Sequence, residues 1–187
     1  MNRAVFFDRD DTIIENIPYL GDPKQVRLLP FAVEALRLLK SRSFAIFLIS
    51  NQSGVGRGFI TEKQVIAVNR EMELQLGESF FTGIYCCYDD PENPSENCRK
   101  PSPKLIQQAA RDYSIDLSRS YFVGDKQTDI LAGRRAGCKT VLITGEGGSK
   151  TDSKIFTKAD FNARDLLQAA HWIIDNNLDS LQNSSNL

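Results

Sequence analysis

Three carboxylates, Asp8, Asp10 and Asp11, fall within four residues directly after the apolar run Ala4-Val5-Phe6-Phe7. Carboxylates crowded at the end of a buried segment repel one another unless a cation offsets them, and Mg²⁺ is the simplest remedy. A turn or a helix cap would use the same residue types. Further along, Ser50-Asn51-Gln52-Ser53-Gly54-Val55-Gly56-Arg57-Gly58 offers hydroxyls, amides, glycine-opened backbone and a guanidinium, which together suit an anionic oxygen ligand. The Gly-Lys-Ser/Thr ending of a Walker loop is absent, and a plain surface loop has a similar composition. Arg99-Lys100-Pro101 then places two cations side by side, and Gly124-Asp125-Lys126-Gln127-Thr128-Asp129 adds two carboxylates and a lysine. Taken singly, these read equally well as a solvated basic pair and a capped helix start.

What distinguishes the four segments is the elements that carry them. Short apolar runs over 4–7, 45–49, 83–87, 121–123 and 140–143 alternate with segments of helical period, the pattern of a parallel sheet covered on both faces. Helices are expected over 31–40, behind Pro30, and over 61–76, opened by the capping box Thr61-Glu62-Lys63-Gln64 and stopped at Gly77. Others are expected over 102–113, over 127–136 with Gly137 as cap, and over 162–176. In open parallel sheets ligands bind beyond the carboxyl ends of the strands. Each chemistry-bearing segment sits at such an end, so a shared site is expected.

With 187 residues, 41% apolar and 25% charged, the chain suits a single globular domain, expected over 1–177, with a polar and flexible tail over 178–187. Its 23 basic and 24 acidic side chains leave a formal charge of −1, which gives no field to hold nucleic acid. There is no export signal and no apolar run long enough to span a bilayer, so a cytoplasmic protein with reduced thiols at Cys86, Cys87, Cys98 and Cys138 is expected. The segment 146–154 reads as a polar loop.

The four segments in order resemble the motifs of the haloacid dehalogenase (HAD) superfamily of aspartate-nucleophile hydrolases: Asp-x-Asp, a Ser or Thr, a Lys and a late acidic pair. Within it, Asp8-Arg9-Asp10, Ser50-Asn51-Gln52-Ser53-Gly54, Cys98-Arg99-Lys100-Pro101 and Gly124-Asp125-Lys126 look like the branch of small phosphatases that act on heptose 1,7-bisphosphate or histidinol phosphate. The resemblance implies an α/β, Rossmann-like doubly wound parallel sheet without a large cap domain. It also implies a Mg²⁺-dependent phosphomonoesterase that works as a monomer on a small phosphorylated metabolite. Heptose bisphosphate is the leading substrate and histidinol phosphate the second. A nucleic-acid 3′-phosphatase stands third, and a silent phosphosugar-binding module is the reading from another class.

Carried over residue by residue, the resemblance makes Asp8 the nucleophile and Asp10 the acid and base, with Asp10 making fewer cationic contacts than Asp8. Ser50 and Lys100 hold the phosphoryl oxygens. Mg²⁺ would take the Asp8 side chain, the Asp10 carbonyl and Asp125, with Asp129 bracing them from outside. Arg99 would contact substrate beyond the reacting phosphate, with Asn51, Gln52, Arg57 and Lys126 as further candidates. The segments 18–29 and 88–100 would shape the pocket. The chain departs from the branch twice. Asp11 stands where glycine is usual, at a position that favours positive φ. The zinc loop pattern, Cys-x-His and then Cys-x-Cys, survives only at Cys86 and Cys98, with Tyr88 and Glu96 in place of a histidine and a cysteine; no zinc is expected.

Overall fold

In the computed structural model the described residues are 2–77, 79–145 and 158–184, with 178–184 described by helical course alone. Six parallel strands form one sheet in the order β3-β2-β1-β4-β5-β6: β1 (Ala4–Phe7), β2 (Ala45–Asn51), β3 (Gly83–Cys87), β4 (Tyr121–Gly124), β5 (Lys139–Ile143) and β6 (Phe161–Ala163). Five helices connect and close them: α1 (Ala32–Ser41), α2 (Glu62–Leu76), α3 (Lys104–Tyr113), α4 (Gln127–Ala136) and α5 (Leu166–Ser184).

Side chains along a strand alternate between faces, so β1 feeds two cores. Val5 and Phe7 pack with Leu36 and Leu39 of α1, Val68 and Met72 of α2 and Ile173 of α5. Ala4 and Phe6 pack on the other face with Ile106 and Ala109 of α3 and Ala132 of α4. Burial on both sides explains why the strands read as unbroken apolar runs. Strand order reverses between β1 and β4, and the crevice beyond their carboxyl ends is where this sheet type receives a ligand.

The local signals hold. Thr61 and Gln64 form the reciprocal capping box of α2, and Gly77 caps its end in the left-handed region at φ 78°. One expectation needs correction. Asn162 opens no helix, because 161–163 pairs with β5 as a sixth strand and α5 begins at Leu166. A three-residue edge strand carries too few residues to show a period of two, which is why it read as helix. The helical course of α5 runs on to Ser184, past Leu178 where the polar tail is expected to begin. Once nucleated, a helix propagates through its own backbone hydrogen bonds without needing burial at each turn. The loop expected over 146–154 lies outside the described residues.

Candidate active site

Asp8 follows β1 and Asp125 follows β4, adjacent strands at the reversal, so the topology alone brings together carboxylates far apart in sequence. Beside Asp8 stands Lys100, buried to 3% exposure. Its Nζ donates to Asp8 Oδ1 at 2.6 Å and to the Ile49 carbonyl at 2.8 Å, and lies 2.7 Å from Asp129 Oδ1. Burial pulls the lysine pKa down, but the Asp129 and Asp8 carboxylates outweigh it and hold the group well above its ordinary range. Lys100 therefore carries a fixed positive charge. Asn51 at the end of β2 secures its backbone: Asn51 Oδ1 accepts the Lys100 N–H at 3.0 Å and Asn51 Nδ2 donates to its carbonyl at 3.3 Å.

Asp8, Asp125 and Asp129 each present a carboxylate oxygen, all within 4.8 Å of one another. Asp125 Oδ2 is buried and accepts no hydrogen bond; the Lys126 ammonium lies 3.1 Å away without hydrogen-bond alignment. Burial first, then the Asp8 charge, push the Asp125 pKa up to about 7. An all-oxygen donor set that is under-neutralised and holds an unpartnered buried oxygen fits a hard divalent cation such as Mg²⁺. Asp129 has the least to give, because Lys100 takes Oδ1 and the Lys126 N–H donates to Oδ2 at 3.0 Å. Gly124 makes this packing possible: a Cβ there would meet the Asp129 carboxyl at 2.5 Å.

Asp10 is held differently. Arg9, itself 1% exposed, clasps it through Nε at 3.1 Å and Nη2 at 2.9 Å, while Nη1 donates to Asn69 Oδ1 of α2. Gln52 Nε2 donates to Asp10 Oδ2 at 2.9 Å and to Ser50 Oγ at 2.8 Å. Burial raises the Asp10 pKa despite Arg9, and the Asp8 charge adds to the rise. The two carboxylates of the first motif thus have distinct surroundings, one under a buried ammonium and one under a guanidinium, with the second biased towards holding a proton.

The chain spans most of the length of several curated phosphatases. It is 36% identical over 165 residues to D-glycero-beta-D-manno-heptose-1,7-bisphosphate 7-phosphatase of Haemophilus ducreyi, covering 80% of this chain and 91% of that protein. It is 35% identical over 182 residues to D-glycero-D-manno-heptose-1,7-bisphosphate 7-phosphatase of Chlorobaculum tepidum, covering 89% and 92%. The chain belongs to the HAD phosphatases, in the heptose bisphosphate branch. The HAD-hydrolase-like family pattern matches residues 97–169. Among solved structures, D,D-heptose 1,7-bisphosphate phosphatase of B. bronchiseptica, complexed with magnesium and phosphate, superposes with a TM-score of 0.83 at 26% identity, covering 93% of this chain and 99% of that one. Its counterpart from Burkholderia thailandensis gives 0.66 at 25% identity, covering 92% and 99%. This HAD chain is accordingly an enzyme of the phosphoric monoester hydrolase class, and no helix among its described residues is long and apolar enough to cross a membrane.

A cavity of about 790 Å³ opens over the HAD site, and Asp8, Asp10, Lys100, Arg99, Lys126 and Asn51 are among its lining residues. Ser50 lies beneath, fully buried, and Gln52 beside it is spent on Ser50 and Asp10. Arg57 is not in the lining. It turns to the outside of the loop after β3, 3.4 Å from Asp90 and 3.6 Å from Glu92, and donates to the Tyr19 hydroxyl. Segment 18–29 supplies no lining residue either, whereas 88–100 supplies Pro91, Pro94 and Asn97, so only one of the two expected pocket segments contributes.

One residue given no role in the sequence reading takes one here, and one expectation changes. Arg9 is the main cationic partner of Asp10. The signal available in the sequence was a charged residue flanked by a buried strand, which must find partners inside. The cysteine pair facing Cys98 is Cys87, not Cys86: the two bond with Cα atoms 5.6 Å apart, so they are not free thiols. Neighbours on a strand point to opposite faces, and Cys86 turns towards Asn69 of α2, 3.8 Å away. Asp11 does adopt the positive φ expected, 60°, and its carboxylate accepts from Asn16 Nδ2 at 2.9 Å.

Proposed function

We propose that the chain removes the 7-phosphate from D-glycero-D-manno-heptose 1,7-bisphosphate, through a phospho-aspartate on Asp8. The observation that carries the substrate class is Arg99. It is half-buried on the wall of the same cavity as Asp8 and Lys100, and its guanidinium engages in no hydrogen bond or ion pair among the described residues, its carbonyl alone accepting from the Ser102 N–H at 2.9 Å. Burial first, and then nearby Arg57, lower its pKa, against a smaller opposing pull from the Asp89 carboxylate. A desolvated guanidinium without a partner is costly unless a ligand anion supplies one, and the reacting phosphate already has Lys100. A substrate with a second phosphate satisfies both, in agreement with the names of the curated relatives.

In the first step an Asp8 carboxylate oxygen attacks phosphorus in line, the bond from phosphorus to the sugar oxygen breaks, and Asp10 delivers its proton to that oxygen. In the second, water attacks the same phosphorus, Asp10 takes its proton, and the Asp8 oxygen–phosphorus bond breaks to release phosphate. Lys100 would hold the phosphoryl oxygens as charge spreads over them, with the buried Ser50 hydroxyl behind it. Gln52 bridges Ser50 and Asp10, so the phosphate cradle and the proton carrier share one support. Mg²⁺ bound by Asp8 and Asp125, with the Asp10 carbonyl, would offset charge repulsion between nucleophile and phosphate.

Turnover with Mg²⁺ on heptose 1,7-bisphosphate, histidinol phosphate and 4-nitrophenyl phosphate tests this reading. Heptose bisphosphate should show the highest kcat/KM, with Asp8→Asn inactive on all three. A preference for histidinol phosphate would overturn the substrate, and an active Asp8→Asn would overturn the mechanism.

A further inference from the structure

Arg99 lies between two anchored neighbours. On one side Asn51 clamps the Lys100 backbone through both its N–H and its carbonyl. On the other, Cys98 is bonded to Cys87 at the end of β3, and its N–H donates to Asp89 Oδ2 at 3.1 Å. The Asp89 carboxylate, 5% exposed, gathers the intervening loop: Oδ1 accepts from Ser95 N at 3.1 Å, Ser95 Oγ at 3.0 Å and Glu96 N at 2.9 Å. Such charge-assisted bonds to backbone N–H groups are the strong class.

Cys87, Asp89 and Cys98 also bring ligand atoms within 4.8 Å of one another, which invites a metal. The donors do not fit one. The two sulfurs are bonded to each other, both carboxylate oxygens already accept hydrogen bonds from the loop, and a structural thiolate site takes four ligands where three converge.

We propose that Asp89, with the Cys87–Cys98 bridge, is a positioning residue that aims Arg99 at the far anion of the substrate, and that it organises this loop without a metal. The proposal rests on the reading of Arg99 given above. The chemical step is insulated from it, because Lys100 takes its position from Asn51, Ile49, Asp8 and Asp129 rather than from the loop.

Asp89→Asn keeps the shape and removes the charge. Its KM for heptose 1,7-bisphosphate should rise on the order of 10-fold, the loss attached to weakened charge-assisted hydrogen bonds, with kcat unchanged. Its kcat/KM for 4-nitrophenyl phosphate, which has no second anion, should stay at the wild-type value. In an Arg99→Ala background the Asp89→Asn effect should vanish, since both act through one contact. The purified protein should carry no zinc, and chelation followed by Mg²⁺ should restore full activity. Additive effects in the double variant, a kcat loss on both substrates, or one tightly held zinc per chain would overturn the proposal. Should Asp89→Asn fail to fold, Cys87→Ser/Cys98→Ser takes its place in the same comparison. An Arg99→Ala variant with unchanged KM for heptose bisphosphate would instead sink the second-anion reading; a raised KM there with none in Asp89→Asn would sink this inference alone.

Discussion

Lys100 reaches Asp8 across 92 residues of chain, whereas Asp89 collects its donors from residues six to nine positions ahead. The first region, the cavity floor, is assembled by strand order: carboxylates from the ends of β1 and β4 and an ammonium arriving from the loop after β3. The second, the rim, is a local knot of short sequence separation tied to the end of β3. In the floor every charge is desolvated and depends on the others, so a change propagates. In the rim one carboxylate serves several backbone groups, and its outer face, with Glu92 and Arg57, is wet.

The largest effect that separates them is Lys100→Met. The floor then keeps its buried Asp8 and Asp129 charges without the cation between them, and breaking such a pair costs about 3–5 kcal/mol. Denaturation in urea without Mg²⁺ should show that loss. Loss of a positioned donor to the phosphoryl group should lower kcat by about 10²–10³-fold. No single substitution of the rim should match either figure; a rim variant as damaging would end the distinction drawn here.

A smaller effect comes from pH. Asp125 has its pKa pushed up to about 7 by burial and by Asp8, against 3.8 ordinarily. Between those values the folded, metal-free protein holds a proton that the unfolded chain releases, so stability falls as pH rises through the window. In the proposed site Mg²⁺ would take the place of that proton. The rise in Tm on adding Mg²⁺ should therefore be greater at pH 8 than at pH 5.5. The rim moves the other way: hydrogen bonds from Glu96, Cys98 and Ser95 hold Asp89 below its ordinary pKa, so its contribution is present above that value and lost in stronger acid. Calorimetry across pH with and without Mg²⁺ reads both, and equal Mg²⁺ shifts at the two pH values would contradict the role given to Asp125.

The floor was legible in the sequence and the rim was not, for a physical reason. Apolar runs fix strands, parallel strands fix which ends share an edge, and so Asp8, Lys100 and Asp125 are brought together by topology before any side chain is placed. Arg9 escaped because its partner is a neighbour in sequence, and alternation suggests that neighbours point apart; a long side chain can fold back. In the rim the outcome turns on one residue of register. Cys86 and Cys87 are adjacent, and only the strand's facing decides which of them meets Cys98. In the sequence Asp89 is only one of several loop carboxylates, because its role depends on several N–H groups turning inward, and loop backbone directions leave no mark in residue types.

The smallest effect expected, and the sharpest test of where the rim ends, is Arg57→Ala. By composition Arg57 belongs with the anion-binding residues, as it closes the glycine-rich segment after Ser50. The structure directs it outward to Asp90, Glu92 and Tyr19, all at least partly exposed. Exposed pairs of this kind are worth about 0–1 kcal/mol, and salt screens them further. Gly56, whose Cβ position is filled by the backbone of Tyr88 and Asp90, already holds the two loops together without the guanidinium. Arg57→Ala should therefore change KM for heptose bisphosphate by less than about threefold, in keeping with that energy, and leave kcat alone. A loss as large as that of Arg99→Ala would mean that Arg57 swings into the cavity when substrate binds, and the line between rim and surface would have to be redrawn through Asp90.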